Sequence, residues 1–429
     1  MPRLRSPAPP RRLLPGLALA AALSCGAPEA DRRPDLVLVT LDTLRRDHVG
    51  AYGGRPGLTP HLDALAARGL LHEAAYTTMP TTGPAHLSLF SGLQPLEHGA
   101  RRNGDPLPRE VQGRDLAARL GAAGYTTAAF VTSVLLGPAE TGLRGFQIYD
   151  TPRHALRSGE AAVEQALAWL EAEARRPVFL WVHLYDAHAP YGSPEEKERH
   201  LPVDPALHGF VEAARYQASD ARRAMNERYA RGVAAADAAL GRLLAGARQR
   251  LAGEPLVVVA ADHGESLDER LAERGYAYDH GKYLDPECVA IPLVLAGPGV
   301  APGRSAGAVS IRDLYTALLG AAGLPDAEAD AEERRDPRRP VLERRLLRIE
   351  RRPLGAEVAP GALAHAAAAT DGVALAIVAA DGSAIGDEPA APDLLAAARR
   401  HAALLAAAAP VRALRPETLE ALRSLGYLD

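Results

Sequence analysis

The sequence predicts an α/β protein: a three-layer α/β/α arrangement with a large mixed, mostly parallel sheet and a small C-terminal α+β appendage. Three observations lead there. Short continuous apolar runs, Leu36 to Leu41, Val178 to Tyr185 and Leu256 to Ala261, have the composition of strands buried on both faces. Helical stretches separate them, among them Leu116 to Ala123, Ala161 to Ala174 and Ala224 to Arg250, so strands and helices alternate. The apolar runs end in polar groups, Asp42-Thr43, Asp186-Ala187-His188 and Asp262-His263-Gly264-Glu265-Ser266, and the carboxyl ends of such strands are where open α/β sheets bind ligands.

The 429 residues suffice for one large domain and a smaller appendage, and the net charge of −4 offers no basic footprint for nucleic acid. Arg3, Arg5, Arg11 and Arg12 precede an apolar run from Leu13 to Leu23 that is too short to span a bilayer. A basic segment, a short apolar segment and then small residues is the layout of a secretory signal, here residues 1–25. Ala22-Leu23-Ser24-Cys25-Gly26 resembles a lipoprotein cleavage box, with Ala22 where Leu is usual. Two expectations stand open: membrane attachment through a lipidated Cys25, or an ordinary cleaved signal with an incidental Cys. Both make the protein exported, to the periplasm or the cell envelope. Cys288 is the one remaining cysteine, so no disulfide framework forms, and it is expected as a small buried apolar residue.

Further along, Thr59 to Gly69 is an amphipathic helix with Pro at its start and Gly at its end. Pro80 to Gly92 reads Pro-Thr-Thr-Gly-Pro-Ala-His-Leu-Ser-Leu-Phe-Ser-Gly. Gly83 and Pro84 mark the first turn of a helix, which puts Thr82 at a junction with its hydroxyl facing the positive helix end. That suits a nucleophile for an anionic ester, and it equally suits a helix N-cap. Asp42 likewise reads as a pocket carboxylate or as a cap of the next helix, with Asp47 offering similar chemistry nearby. Thr126 to Val131 and Pro292 to Ala296 are further strands, and Ile311 to Ala322 is a helix. The charged, proline-rich stretch from Asp326 to Pro340 reads as an exposed loop or linker. Val341 to Ala380 suggests a few strands, and Leu394 to Ala409 an alanine-rich helix. Residues 34–325 are therefore expected as the main domain and 341–429 as a small subdomain.

Strand ends from distant parts of a parallel sheet converge along one edge. Asp42, Asp262, His263 and the Thr82 hydroxyl together make a divalent metal site of hard to borderline character. A metal at the hydroxyl would lower its pKa and aim it at an electrophile. His86, His188, His280 and Lys282 add donors for an anionic centre. Of the other histidines, His183 inside its apolar run is expected to be buried and hydrogen-bonded, and His98 lines the pocket or ends a turn. His61, His72, His200, His208 and His401 are expected at the surface or as caps. Glu265 supports the metal ligands or starts a helix.

In order and spacing the segments Asp42 to Gly53, Thr59 to Gly69, Thr82 to Gly92, His98-Gly99, His183 to Tyr191, Asp262 to Ser266 and His280 to Lys282 resemble the sulfatase family, within the alkaline phosphatase superfamily. The resemblance runs from about Pro34 to Leu324, and Leu425-Gly426-Tyr427 is similar to the tails of some members. It implies an alkaline-phosphatase-like fold, metal binding by Asp42, Asp262 and His263, Thr82 in the nucleophile position, and His188 and Lys282 on the anionic ester. Two departures stand out. Thr82-Gly83-Pro84-Ala85-His86 replaces the family's Cys (or Ser)-x-Pro-Ser-Arg, whose first residue becomes formylglycine. Thr43 replaces the family's second metal Asp, so the metal site carries less charge or recruits Asp186 or another group.

The resemblance thus implies a metal-dependent hydrolase of a sulfate or phosphate-type ester, on a small molecule or glycan, with Thr82 as nucleophile. The metal is calcium if the site is sulfatase-like, and manganese or zinc if it is phosphatase-like. A formylglycine hydrate uses one hydroxyl to attack and the other to expel sulfate. Thr82 has one hydroxyl, which leans towards phosphate or phosphonate ester chemistry. Two rivals are a phosphoryl-group transferase of the cell envelope, whose relatives usually carry several membrane spans, and a degenerate member that binds an anionic glycan without turnover.

Overall fold

A computed structural model describes residues 33–153, 156–199, 219–275, 277–326, 334–341, 345–350, 365–379, 383–385, 391–407 and 414–424. The expectations for the signal segment with Cys25, for His200 and His208, and for Leu425-Gly426-Tyr427 lie outside the described residues.

The main sheet has eight strands: β1 (Leu36–Leu41), β2 (Leu70–His72), β3 (Thr126–Phe130), β4 (Ile148–Asp150), β5 (Val178–Leu184), β6 (Leu256–Ala261), β7 (Leu293–Ala296) and β8 (Gly303–Ser305). Their spatial order is β8-β2-β7-β6-β1-β5-β3-β4. Only β7 runs antiparallel to its neighbours. The apolar runs that predicted strands are the three central ones, β6, β1 and β5, and every residue of each is buried. Both faces of those strands are covered, which is why their sequences show no alternation.

Helices form the outer layers. Pro60–Arg68 (α1), Gly159–Ala172 (α4) and the long Ser219–Arg250 (α5) pack together on one side. Thr82–Ser91 (α2), Leu116–Ala122 (α3) and Asp313–Ala321 (α6) pack together on the other. All ten residues of α2 are buried, so this short helix is a core element. Phe90 on α2 meets Trp181 of β5 edge-on, with ring centroids 4.6 Å apart.

Beyond the main sheet, the short strands Ala75–Tyr76, Ala290–Ile291 and Val309–Ser310 form a second, three-stranded sheet. A third sheet is antiparallel, with strands β9 (Leu347–Glu350), β10 (His365–Thr370), β11 (Leu375–Ala379) and β12 (Ala384–Ile385). One of its faces, with Ile349 and Ala368, joins Tyr76, Cys288 and Val289 of the small-sheet region in one apolar cluster. The opposite face, with Ala367 and Ala369, packs on the helix Pro392–Ala407 (α7). Successive residues of β10 thus serve two cores, as the two-residue period of a strand requires.

Three expectations need correction. Arg334, in the stretch expected to be exposed, is buried and donates to the Gly92 carbonyl at 2.9 Å while pairing with Asp326. His72 is buried in β2 with Nε2 at 2.7 Å from the Pro337 carbonyl, and His401 is buried in α7. Surface placement fails for these groups because loops and helices distant in sequence fold over them. Cys288 is buried, as expected. Among the described residues no helix is long and apolar enough to cross a membrane.

One close approach ties the long helix to the functional edge. A Cβ added at Gly232 of α5 would lie 2.4 Å from the Asp186 carbonyl oxygen, in the loop that follows β5. Alanine is favoured over glycine in a helix interior by about 1 kcal/mol. Gly232→Ala is nevertheless expected to destabilise the protein by about 1–3 kcal/mol, because backbone must move to admit the methyl group. Urea unfolding of the two proteins measures this, and a more stable variant would show that α5 does not press on the loop.

Candidate active site

Sheet register assembles the centre of the site. Leu41, the last residue of β1, lies opposite Ala261 of β6 and Leu184 of β5. The next residues of β1 and β6 are Asp42 and Asp262, which therefore leave adjacent parallel strands side by side, both fully buried. Asp42 Oδ1, Asp262 Oδ2 and His263 Nε2 form a group of potential metal-ligand atoms lying within 4.8 Å of one another.

Each of these residues has its other polar atom occupied by protein. Asp262 Oδ1 accepts the backbone N–H groups of Thr43 (3.2 Å) and His263 (2.7 Å). His183 Nε2 lies 3.1 Å from Asp42 Oδ2, and His183 Nδ1 faces the Thr132 hydroxyl at 3.1 Å. His263 Nδ1 donates to the Gly264 carbonyl at 2.8 Å, which leaves Nε2 as the basic nitrogen. Asp42 Oδ1 and Asp262 Oδ2 are buried with no hydrogen-bond partner. Two orphaned carboxylate oxygens and one imidazole lone pair converging on a point is the donor set of a divalent cation, so these residues fit a metal.

The electrostatics agree. Burial pushes Asp42 up to about 7, against the pull of His263. Burial and the Asp42 charge raise Asp262 above the usual carboxylate range. His263 is raised in spite of burial, because Asp262 and Asp42 favour its charged form. Two carboxylates this close and this dry call for a positive charge between them.

Thr82 sits over this group, its Oγ1 3.5 Å from His263 Nε2. Thr82 is the first residue of α2, and Thr81 takes the N-cap position in extended geometry. The N-cap alternative for Thr82 is thus not the one realised, and its hydroxyl faces the carboxylates. Gly83 N–H, a donor of the first helical turn, is satisfied by Asn103 Oδ1 at 2.7 Å.

His86 takes a different place from the one expected. Its Nδ1 contacts the Thr82 carbonyl at 2.7 Å and its Nε2 the Thr40 hydroxyl at 2.9 Å, and Trp181 Nε1 donates to that hydroxyl at 3.0 Å. Burial pulls His86 down to about 4, so it is neutral. With both nitrogens engaged, His86 anchors α2 and does not present a donor to an ester. Asp186 also departs from expectation. Both of its carboxylate oxygens accept Gly159 N–H at 3.1 Å, so it caps α4 and adds nothing to the metal group. Thr43 donates its hydroxyl to the Asp42 carbonyl at 2.8 Å and holds a left-handed φ of 55°, pinned by the Tyr229 hydroxyl on its carbonyl at 2.7 Å. Asp47 pairs with Arg45 at 2.6 Å near the surface.

The remaining expected groups come from two loops. His188 donates Nδ1–H to the Ala189 carbonyl at 2.7 Å, stacks on Tyr185 at 4.1 Å and meets His280 edge-on at 5.1 Å. The His280 ring lies 4.3 Å from His263, with Nδ1 3.2 Å from Glu265 Oε1. Glu265 also accepts the Tyr191 hydroxyl at 2.9 Å, and burial pushes it up to about 7. Lys282 is half-buried two residues beyond His280.

Sequence reasoning missed several members of this region. Lys197 donates to the carbonyls of Tyr185 and His188 at 3.1 and 2.9 Å, which braces the His188 loop. Burial lowers it to about 8, against the pull of Asp186 and Asp42. No local signal marks Lys197, and Asn103-Gly104 reads as a turn without naming Gly83 as partner. His183 carried one, a lone histidine in a fully apolar run, and that signal gave burial without naming Asp42 as partner. His98 ends the short helix Pro95–His98 and braces α2, with Nε2 3.1 Å from Ser88 Oγ and Nδ1 accepting Ala100 N–H at 3.2 Å.

The Sulfatase family description matches residues 34–324. The chain belongs to the sulfatase family. Its fold is that of the alkaline phosphatase-like superfamily. Among curated sulfatases, the Delta 4,5-hexuronate-2-O-sulfatase of Bacteroides thetaiotaomicron is 24% identical over 333 residues, 66% of this chain and 66% of that enzyme. The ulvan-active sulfatase of Formosa agariphila is 26% identical, over 70% of this chain and 67% of that enzyme. The chain thus spans about two thirds of these relatives. Among solved structures, a 2-O GAG sulfatase superposes with a TM-score of 0.62 at 16% identity, covering 90% of this chain and 96% of that one. The phosphonate monoester hydrolase of Agrobacterium radiobacter superposes with a TM-score of 0.58 at 20% identity, covering 91% and 96%.

Two outcomes test this sulfatase-family site. His183→Leu removes the donor on Asp42 Oδ2, and divalent-metal affinity measured by calorimetry is expected to fall about 10–100-fold. His98, which burial pulls down to about 3 from an ordinary 6.5, binds protons more readily in the unfolded chain. Its contribution to stability is therefore present above about pH 6.5 and is lost as pH falls from there towards 3, by ~1.4 kcal/mol per unit. Urea midpoints at pH 7 and pH 5 are expected to differ less in His98→Gln than in the parent protein.

Proposed function

We propose that this sulfatase-family chain is a metal-dependent hydrolase of an anionic ester, with Thr82 as its nucleophile. The observation that carries this reading is the Thr82 hydroxyl 3.5 Å from His263 Nε2, above two buried carboxylate oxygens that no protein group satisfies. Asp42, Asp262 and His263 would hold the ion and Thr82 Oγ1 would complete its protein donors. An imidazole among carboxylates suits manganese or zinc better than calcium, whose sites are built from oxygen. When bound, the ion supplies Lewis-acid charge that lowers the hydroxyl pKa and balances the developing negative charge.

Thr82 Oγ1, its proton given to solvent water, attacks the sulfur or phosphorus atom, and the bond to the leaving alcohol breaks. His280, oriented by Glu265, carries protons to the leaving oxygen and Lys282 faces the ester oxygens, while His188, whose Nδ1–H is given to the Ala189 carbonyl, joins them as a donor when Nε2 is protonated. Water then attacks the covalent Thr82 ester at the same central atom and releases the acid, regenerating the hydroxyl. That second step is where one hydroxyl differs from the two of a formylglycine hydrate, and it favours phosphate or phosphonate esters, whose central atom water attacks directly. Two solved neighbours are described as complexes with k-i-k-neocarrahexaose and with the substrate D-glucosamine-2-N,6-O-disulfate, which supports an anionic saccharide as the class to test.

The test is turnover of an aryl sulfate, an aryl phosphate, an aryl phosphodiester and a phosphonate monoester with added calcium, manganese or zinc. Metal-dependent turnover that Thr82→Ala abolishes is expected. Full turnover by Thr82→Ala would eliminate the nucleophile assignment. No turnover of any ester, with tight binding of a sulfated saccharide, would favour a binding protein. Transfer of the phosphoryl group to an added alcohol in preference to water would favour the envelope transferase.

A further inference from the structure

The nucleophile helix α2 is fixed from inside the main domain by His86, and also from outside by the C-terminal sheet. Glu350 is the last residue of β9 and is fully buried. Its backbone N–H donates to the Thr78 carbonyl at 2.8 Å, four residues before Thr82. Its Oε1 accepts Leu96 N–H at 2.9 Å, five residues after α2 ends. One residue therefore grips the chain on both sides of the nucleophile helix. The gripped points connect to the helix itself: the Thr78 hydroxyl donates to Ser88 Oγ at 2.9 Å, and Ser88 Oγ contacts His98 Nε2 at 3.1 Å.

The carboxylate is itself enclosed. His401 of α7 approaches Glu350 Oε1 at 3.6 Å and Arg101 approaches Oε2 at 3.7 Å. Glu350 Oε2, Arg101 Nε and both ring nitrogens of His401 are buried without a hydrogen-bond partner, so this polar group is kept for something other than an optimal core. A second, independent contact comes from the C-terminal helix Pro416–Ser424. A Cβ added at Gly104 would lie 2.1 Å from Thr418 Cγ2, and Gly104 follows Asn103, whose side chain holds Gly83 N–H beside Thr82.

We infer that the C-terminal sheet is a working part of the active site, and that Glu350 is a positioning residue that clamps the segment from Thr78 to Leu96 so that the Thr82 hydroxyl stays over the metal group. The inference rests on Thr82 as nucleophile, and its test separates the two. In the full-length protein, amide hydrogen exchange is followed in Glu350→Ala and Glu350→Gln. Exchange in residues 78–98 is expected to rise about tenfold in Glu350→Ala and to return towards the parent rate in Glu350→Gln, which keeps an acceptor for Leu96 N–H. Manganese affinity is expected to fall only a few-fold, because Asp42, Asp262 and His263 do not touch Glu350 and only the neutral Thr82 hydroxyl is loosened.

With whichever ester the parent protein cleaves, Glu350→Ala is expected to lower kcat about tenfold with KM little changed, and Glu350→Gln to recover most of it. Unchanged exchange across residues 78–98 in Glu350→Ala overturns the clamp. So does an equal rise in Leu256–Ala261, which would mean a general loss of stability. If the parent protein cleaves no ester, the proposed activity fails while the exchange data still decide the clamp.

Discussion

Two carboxylates buried side by side at the ends of adjacent parallel strands are the constraint around which this site is built. Asp42 and Asp262 are brought together by the register of β1 with β6, and repulsion between them in a dry edge of the sheet would separate them unless something compensates. The protein compensates only in part. It assigns one oxygen of each to its own donors, His183 on Asp42 and two backbone N–H groups on Asp262, and leaves the other two facing one point. Of the three nearby imidazoles, His86 and His183 are neutral in their buried positions and His263 alone is drawn towards its charged form. The missing charge is what a divalent cation brings.

Thr43 shows how one substitution follows through such a site. A second acidic residue there would put a third carboxylate into the group. Threonine instead turns its hydroxyl back to the Asp42 carbonyl and gives its N–H to Asp262. The turn is held open by Tyr229 from the long helix α5, which also accepts Arg45 N–H at 2.9 Å. Among the described residues, the group left facing the centre is two carboxylates and one imidazole.

Most of the fold was legible because buried parallel strands write themselves as short, uninterrupted apolar runs, and the helices between them carry Pro and Gly at their ends. The trio of Asp42, Asp262 and His263 was legible for a related reason, because each follows such a run directly. His86 was misplaced because spacing along α2 puts it one turn from Thr82 without saying that Trp181 and Thr40 complete its hydrogen bonds. Asp186 was misplaced because a carboxylate after a strand serves a helix N-terminus as readily as a metal. Lys197, Asn103 and Glu350 lie in segments whose composition is ordinary.

By itself the sequence determined the alternation of strands and helices, the family, and the trio Asp42, Asp262 and His263 as candidate metal ligands, because these follow from local composition and from order along the chain. Tertiary structure alone decided which atom of each residue faces the centre, since that depends on hydrogen bonds made across more than a hundred residues, as between His183 and Asp42. It also decided that Glu350 of the C-terminal sheet bonds to the chain on both sides of α2. Glu350 meets Leu96 across 254 residues of sequence, a contact for which no periodicity or motif leaves a mark.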